Sequence, residues 1–188
     1  QNTAIGYQAL ATLDAGANGL NTAVGYNSGY SMTTATSNSL LGDRAGYSIT
    51  QGAENTFLGA YSGFGITTGA GNVAIGFQAL YAEDTHGTNV AIGYKTLKAQ
   101  DAGANAYNVA IGYEAGNDIT TGTQNVLIGG LAGDTLTTGS YNIAIGHGAL
   151  QAEDAHGKNI AIGRQALFAQ DAGADAYNIA IGYNAGVS

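Results

Sequence analysis

Carboxylates recur at matched places in this chain. Asp84 and Asp101 occupy the same position in successive copies of one repeat, and Asp154 and Asp171 duplicate the arrangement. Stacked carboxylates repel unless they are protonated, splayed or bridged by a cation. Hard oxygen ligands of this kind suit calcium, and Glu83 and Glu153 stand next to the first member of each pair. Calcium is therefore the one candidate cofactor, with Asp84, Asp101, Asp154 and Asp171 as its ligands. The plainer reading of the same residues is a set of solvated loop acids that keep the protein soluble. The Gly-Gly-x-Gly-x-Asp signature of calcium-binding β-rolls is absent.

Other reactive types give less. The three histidines are His86, His147 and His156, and two of them, His86 and His156, fall in near-copies of one segment. A catalytic nucleophile, base and orienting acid need one place unlike its neighbours; near-copies argue against an enzyme. A polysaccharide-cleaving fibre needs a carboxylate pair set across a groove, and no such pair is assignable. Threonine pairs such as Thr67-Thr68 and Thr137-Thr138 raise an ice-binding reading, but Asp-Ala and Asp-Thr interrupt the array. Twelve tyrosines offer rings that stack on sugars or anchor a receptor protein. Their regular spacing fits a packing ladder better.

Charge removes whole classes. Thirteen Asp and Glu against five Lys and Arg leave a net charge of −8. Nucleic acid needs a basic patch, and so does an anionic lipid surface. No apolar run approaches the roughly 20 residues that span a bilayer, so no membrane insertion is expected.

The elements that must position these residues come from one repeat. Asn, any residue, Ala/Leu/Phe, Ile/Val/Leu and Gly recur from Asn2 to Asn178 in eleven copies. The interval between copies is short and nearly constant. Such periods mean stacked coils, each hiding its apolar face against the next. The chain carries 31 Gly, no Pro, no Cys and no Trp. The glycines sit at fixed places and so read as turns. The triplet after each Asn is a short apolar run between turn-formers, which suits a strand. The fold class expected is all-β: a parallel β-solenoid, or β-roll, of about eleven 17–19-residue rungs. It occupies 1–188 as a single repeat domain, ten full rungs and a partial eleventh, read as part of a longer fibre.

With the Asn as position 1, strand alternation puts positions 2 and 4 on one face and 1, 3 and 5 on the other. The large aliphatics Ile75, Ile92, Ile111, Ile128, Ile145 and Ile162 at position 4 are expected to face the solenoid core. Asn72, Asn89, Asn108, Asn125, Asn142 and Asn159 are expected to form a hydrogen-bonded ladder. Small residues at positions 3 and 5 leave room for a neighbouring subunit. After the strand, rungs split into two kinds. One has a small residue then Gly, as in Ala115-Gly116; the other has a small residue then Leu, as in Ala79-Leu80. The two-residue insertions fall in Leu-type rungs, and residues 72–107 return at 142–177.

The Asn-x-Ala-Ile-Gly element resembles the head repeats of trimeric autotransporter adhesins, and Ala-Ile-Gly-Tyr is similar to repeats of phage tail fibres. The resemblance covers essentially the whole chain. It implies a homotrimer, an extracellular, cell-surface or virion location, and a structural or adhesive role facing a glycan or protein receptor. A head-to-tail filament of the same subunits is the alternative. The adhesin repeat is typically about 14 residues, so each rung here carries an extra loop, and the aromatic after Gly leans towards a phage-type fibre.

Overall fold

A computed structural model of the chain describes residues 1–14, 19–82, 85–152, 155–169 and 177–187. Its strands are β1 (Thr3–Ile5), β2 (Thr22–Val24), β3 (Ser39–Leu41), β4 (Thr56–Leu58), β5 (Val73–Ile75), β6 (Val90–Ile92), β7 (Val109–Ile111), β8 (Val126–Ile128), β9 (Ile143–Ile145), β10 (Ile160–Ile162) and β11 (Ile179–Ile181). They form one parallel sheet in chain order, as a β-solenoid requires. Like residues pair across every step: Val73 with Val90, Ala74 with Ala91, Ile75 with Ile92. The longer rung between β6 and β7 keeps the same match, Val90 with Val109. Its extra residues loop out, tied down by the Gly87 N–H donating to Asn105 Oδ1 at 3.1 Å and by the buried Ala106.

The corners are set by backbone conformation. Gly76, at position 5, has φ +129°, and a Cβ there would lie 2.2 Å from the carbonyl oxygen of Gly93 in the next rung. Only glycine lets two coils approach so closely. Position 7 is left-handed in every rung even without glycine: Gln78, Lys95 and Glu114 have φ of 54°, 51° and 50°. From Leu20 onward the residue before each Asn shares this, as at Glu54 (φ 60°) and Gln124 (φ 58°). An L-residue in this region costs about 1 kcal/mol. The rung-to-rung hydrogen bonds hold it there, for instance Lys95 N–H to the Phe77 carbonyl at 2.9 Å.

The interior overturns one expectation. Position 3 points inward and position 4 points outward. Ala74, Ala91, Ala110, Leu127 and Ala144 are completely buried, whereas Leu41 is 48% exposed and Ile111 37%. Ile75, Ile92, Ile111, Ile128, Ile145 and Ile162 do align in one column, but on the outer face. The reason is the Asn. Its side chain lies inside, and alternation along the strand carries position 3 in with it. Position 3 is small because a thin coil has little room, not because another subunit comes near.

The two kinds of rung are two ways of filling one interior. In Gly-type rungs a large aliphatic enters three residues after the Gly: Met32, Ile49, Ile66, Ile119 and Leu136 are all fully buried. A Cβ on Gly29 would meet Met32 Sδ at 2.6 Å, and on Gly116 it would meet Leu127 Cδ1 at 2.7 Å. In Leu-type rungs the leucine itself fills that space, as Leu80, Leu97 and Leu150 do.

Candidate functional site: the outer sheet face

The inner wall is closed to chemistry by its own hydrogen bonds. Each Asn N–H donates to Oδ1 of the Asn one rung earlier, from Asn21 on Asn2 to Asn178 on Asn159, at 2.9–3.2 Å. Nδ2 then reaches across the coil to a carbonyl further along the chain: Asn55 to Gly69, Asn108 to Gly122, Asn125 to Gly139, at 2.8–2.9 Å. Buried amides and carbonyls are thereby paired. In the Leu-type rung of β6, Gln100 is buried as well, with Nε2 on the Thr120 carbonyl and Oε1 accepting from Asn108 Nδ2.

The acidic edge gives no assembled cation site among the described residues. Asp101 is exposed, and its backbone N–H bonds the Thr120 carbonyl at 2.8 Å. Asp84, Asp154 and Asp171, with Glu83 and Glu153, lie outside the described residues. Among the described residues no three His, Asp or Glu side chains are grouped as metal ligands. A different acidic group is visible. Asp134 has its pKa raised to about 6, first by burial and then by the nearby charges of Asp118 and Glu114. Repeat spacing could not point to it, because these acids occupy different repeat positions.

The threonine edge is turned inward. Thr33 Oγ1 donates to the Thr50 carbonyl, Thr50 Oγ1 to that of Thr67, and Thr120 Oγ1 to that of Thr137, at 3.0–3.2 Å. Those protons stitch rungs together and are not offered to solvent. Aromatic side chains form ladders. Tyr30, Tyr47, Phe64 and Tyr81 stack with ring centres 5.1–5.3 Å apart. Phe77, Tyr94 and Tyr113 stack at 5.3–5.6 Å. A ring inside such a stack has both faces covered, so a sugar meets only its edge. Arg44 lies over both Tyr26 and Tyr61, and Lys95 lies over Tyr94. These cations belong to the columns.

What remains open is the outer face of the sheet. Seventeen large apolar side chains are exposed among the described residues, and all but Val187 fall in four adjacent columns. Ile5, Leu41, Leu58, Ile111 and Ile181 are at position 4 and Ile179 at position 2. Tyr7, Tyr26, Phe77, Tyr94, Tyr113 and Tyr183 follow the corner Gly; Leu20, Tyr107, Tyr141 and Tyr177 precede the Asn. Position 2 changes along the rod, from Thr3, Thr22, Ser39 and Thr56 to Val or Ile from Val73 onward. A shallow depression of about 290 Å³ lies in the hydroxyl-bearing part, lined by Val24, Leu41, Leu58, Thr22, Ser39 and Thr56 among others. The parity that separates positions 2 and 4 from 1 and 3 was readable in the sequence. The side that faces out was not.

No family model, no curated protein and no solved structure matches this chain.

Proposed function

We propose that the chain is a rigid structural element of a fibre at a cell surface or on a virion, a shaft that holds or presents a binding surface. The observation that supports this is continuity. Eleven strands stack in one order with no break in register, and one Asn ladder runs through all of them. At about 4.8 Å per rung the rod is about 50 Å long. Each coil is fixed to the next by backbone bonds, side-chain amides and aromatic stacks, so bending must disturb several columns together. The four residue classes that invited chemistry are absorbed into the architecture or left solvated, which fits a spacer better than a catalyst.

A direct test places a rigid label at each end of the segment and measures the distance distribution by double electron–electron resonance. A shaft gives one narrow peak at about 50 Å. A broad distribution would defeat the reading. A glycan array run on the same protein separates the two forms of the proposal: saturable binding assigns adhesion to the shaft itself, and a blank array leaves that task to whatever it holds.

A further inference from the structure

We propose that the outer sheet face is the contact through which copies of this chain pack side by side. The inference rests on the rod reading of the fold and is independent of what the fibre presents. Three observations point to a second copy as the occupant.

The first is how one-sided the surface is. Nearly every exposed large apolar side chain stands in the two outward strand columns or in the columns bordering them. Contiguous apolar surface beyond a few hundred Å² marks an interaction site on a water-soluble protein. Here the face is about 50 Å long and about 15 Å wide, on the order of 750 Å². A stable protein–protein contact buries about 800 Å² per partner, so the whole face, and not a part of it, is what a standard interface needs.

The second observation is charge. The chain carries −8 overall, yet the acidic and basic residues of these four columns are only Asp43, Glu54, Lys158 and Arg164, two negative and two positive. The excess negative charge is borne elsewhere. A surface meant for a basic partner would concentrate acids, and one meant for an acidic partner would concentrate bases. A balanced face on an acidic rod is what lets identical rods meet without opposing their like charges.

The third observation is pitch. The outward Val and Ile side chains repeat at the strand spacing in unbroken parallel register from β5 to β11. A second copy repeats with the same spacing, so ridges and grooves match along the full length. A partner built otherwise matches only locally.

The chain contains no cysteine, so one introduced thiol reports the contact. Ile92 lies in β6, the middle of the eleven strands, and therefore meets its counterpart whether the rods run parallel or antiparallel. Gln51 is exposed outside the four columns and serves as the control. Sedimentation velocity is expected to give a multiple of the chain mass. Under mild oxidation Ile92→Cys is expected to form disulfide-linked dimers at least tenfold faster than Gln51→Cys. Ile92→Asp is expected to shift the species to monomer with an unchanged circular dichroism spectrum; should it unfold, the thiol variant still reports on folded protein. A wild type that stays monomeric at every concentration overturns the proposal. So does an oligomer in which Gln51→Cys links and Ile92→Cys does not, or a monomer that gains mass only with a different protein added. Small-angle scattering on the same samples keeps the two readings apart, since a profile that is not rod-like defeats the shaft reading and leaves any measured self-association standing.

Discussion

The two sides of each strand obey different rules. On the inner side, Asn at position 1 and a mostly small residue at position 3 are held by hydrogen bonds and close contacts that leave no alternative arrangement. On the outer side, Val or Ile at position 2 and an aliphatic at position 4 touch only their own column neighbours. Specificity therefore lives in polar and minimal side chains, while the large apolar ones are left for an external surface. In a globular domain the assignment runs the other way. A coil this short is too thin for two layers of bulky side chains. Its fold is fixed by what satisfies the backbone, and bulk is moved outside.

Substitutions can break that contrast or sharpen it. Gly76→Ala should do most harm, because its Cβ meets the Gly93 carbonyl and its φ suits glycine alone. Strain and overpacking together predict a loss of about 3–5 kcal/mol, read by chemical denaturation. Asn108→Ala should come next. It strips the partners of the Asn125 N–H and the Gly122 carbonyl, costing about 3 kcal/mol at about 1–3 per orphaned buried group. Hydrogen exchange should then show the Asn125 amide losing protection first. Leu80→Ala empties the interior of a Leu-type rung and should cost about 2–4 kcal/mol by the same denaturation measurement. An outer-column change such as Ile128→Ser should cost under about 1 kcal/mol in dilute protein. If it costs as much as Leu80→Ala there, the contrast between the sides fails. Smallest of all, Glu54→Gly should stabilise by about 0.5 kcal/mol, since Glu54 sits exposed at φ 60° and glycine removes that strain while adding chain entropy.

One pH effect stands apart from the two sides. The Asp134 carboxyl binds its proton more tightly in the folded chain, with a pKa of about 6 against 3.8. Between those values the native state holds more protons than the unfolded one, so this group's contribution to stability falls as pH rises from about 4 to about 6. Asp134→Asn should flatten the melting temperature over that window. A dependence that persists in the variant would assign it to another group.

Much of this fold was legible. The apolar triplet after each Asn indicated the strand, and the constant interval indicated the parallel register that pairs Val73 with Val90. Facing was not legible from apolar character. Ile75 and Ile92 read as core because large aliphatics are usually buried; only the demand of the Asn72 and Asn89 side chains for buried backbone partners turns the strand over. The left-handed corners were hidden for another reason. Gln78, Lys95 and Glu114 have no preference for positive φ, so their conformation is imposed by the neighbouring rungs. The Gly or Leu alternation was visible as a pattern, but its cause, one bulky group per rung from either of two places, needed Met32 and Leu80 seen in the same interior. Of the proposed calcium ligands only Asp101 lies among the described residues, and nothing there distinguishes it from a solvated acid.

The looped-out residues between β6 and β7 have a wider consequence. Because the match of Val90 to Val109 ignores them, rung count and loop content vary independently. Copying a unit lengthens the object by one graduation of a ruler, about 4.8 Å, whereas enlarging a loop changes its silhouette and not its reach. A lineage can therefore tune how far something stands off from a surface in discrete increments, and decorate one edge separately, without either change disturbing the other.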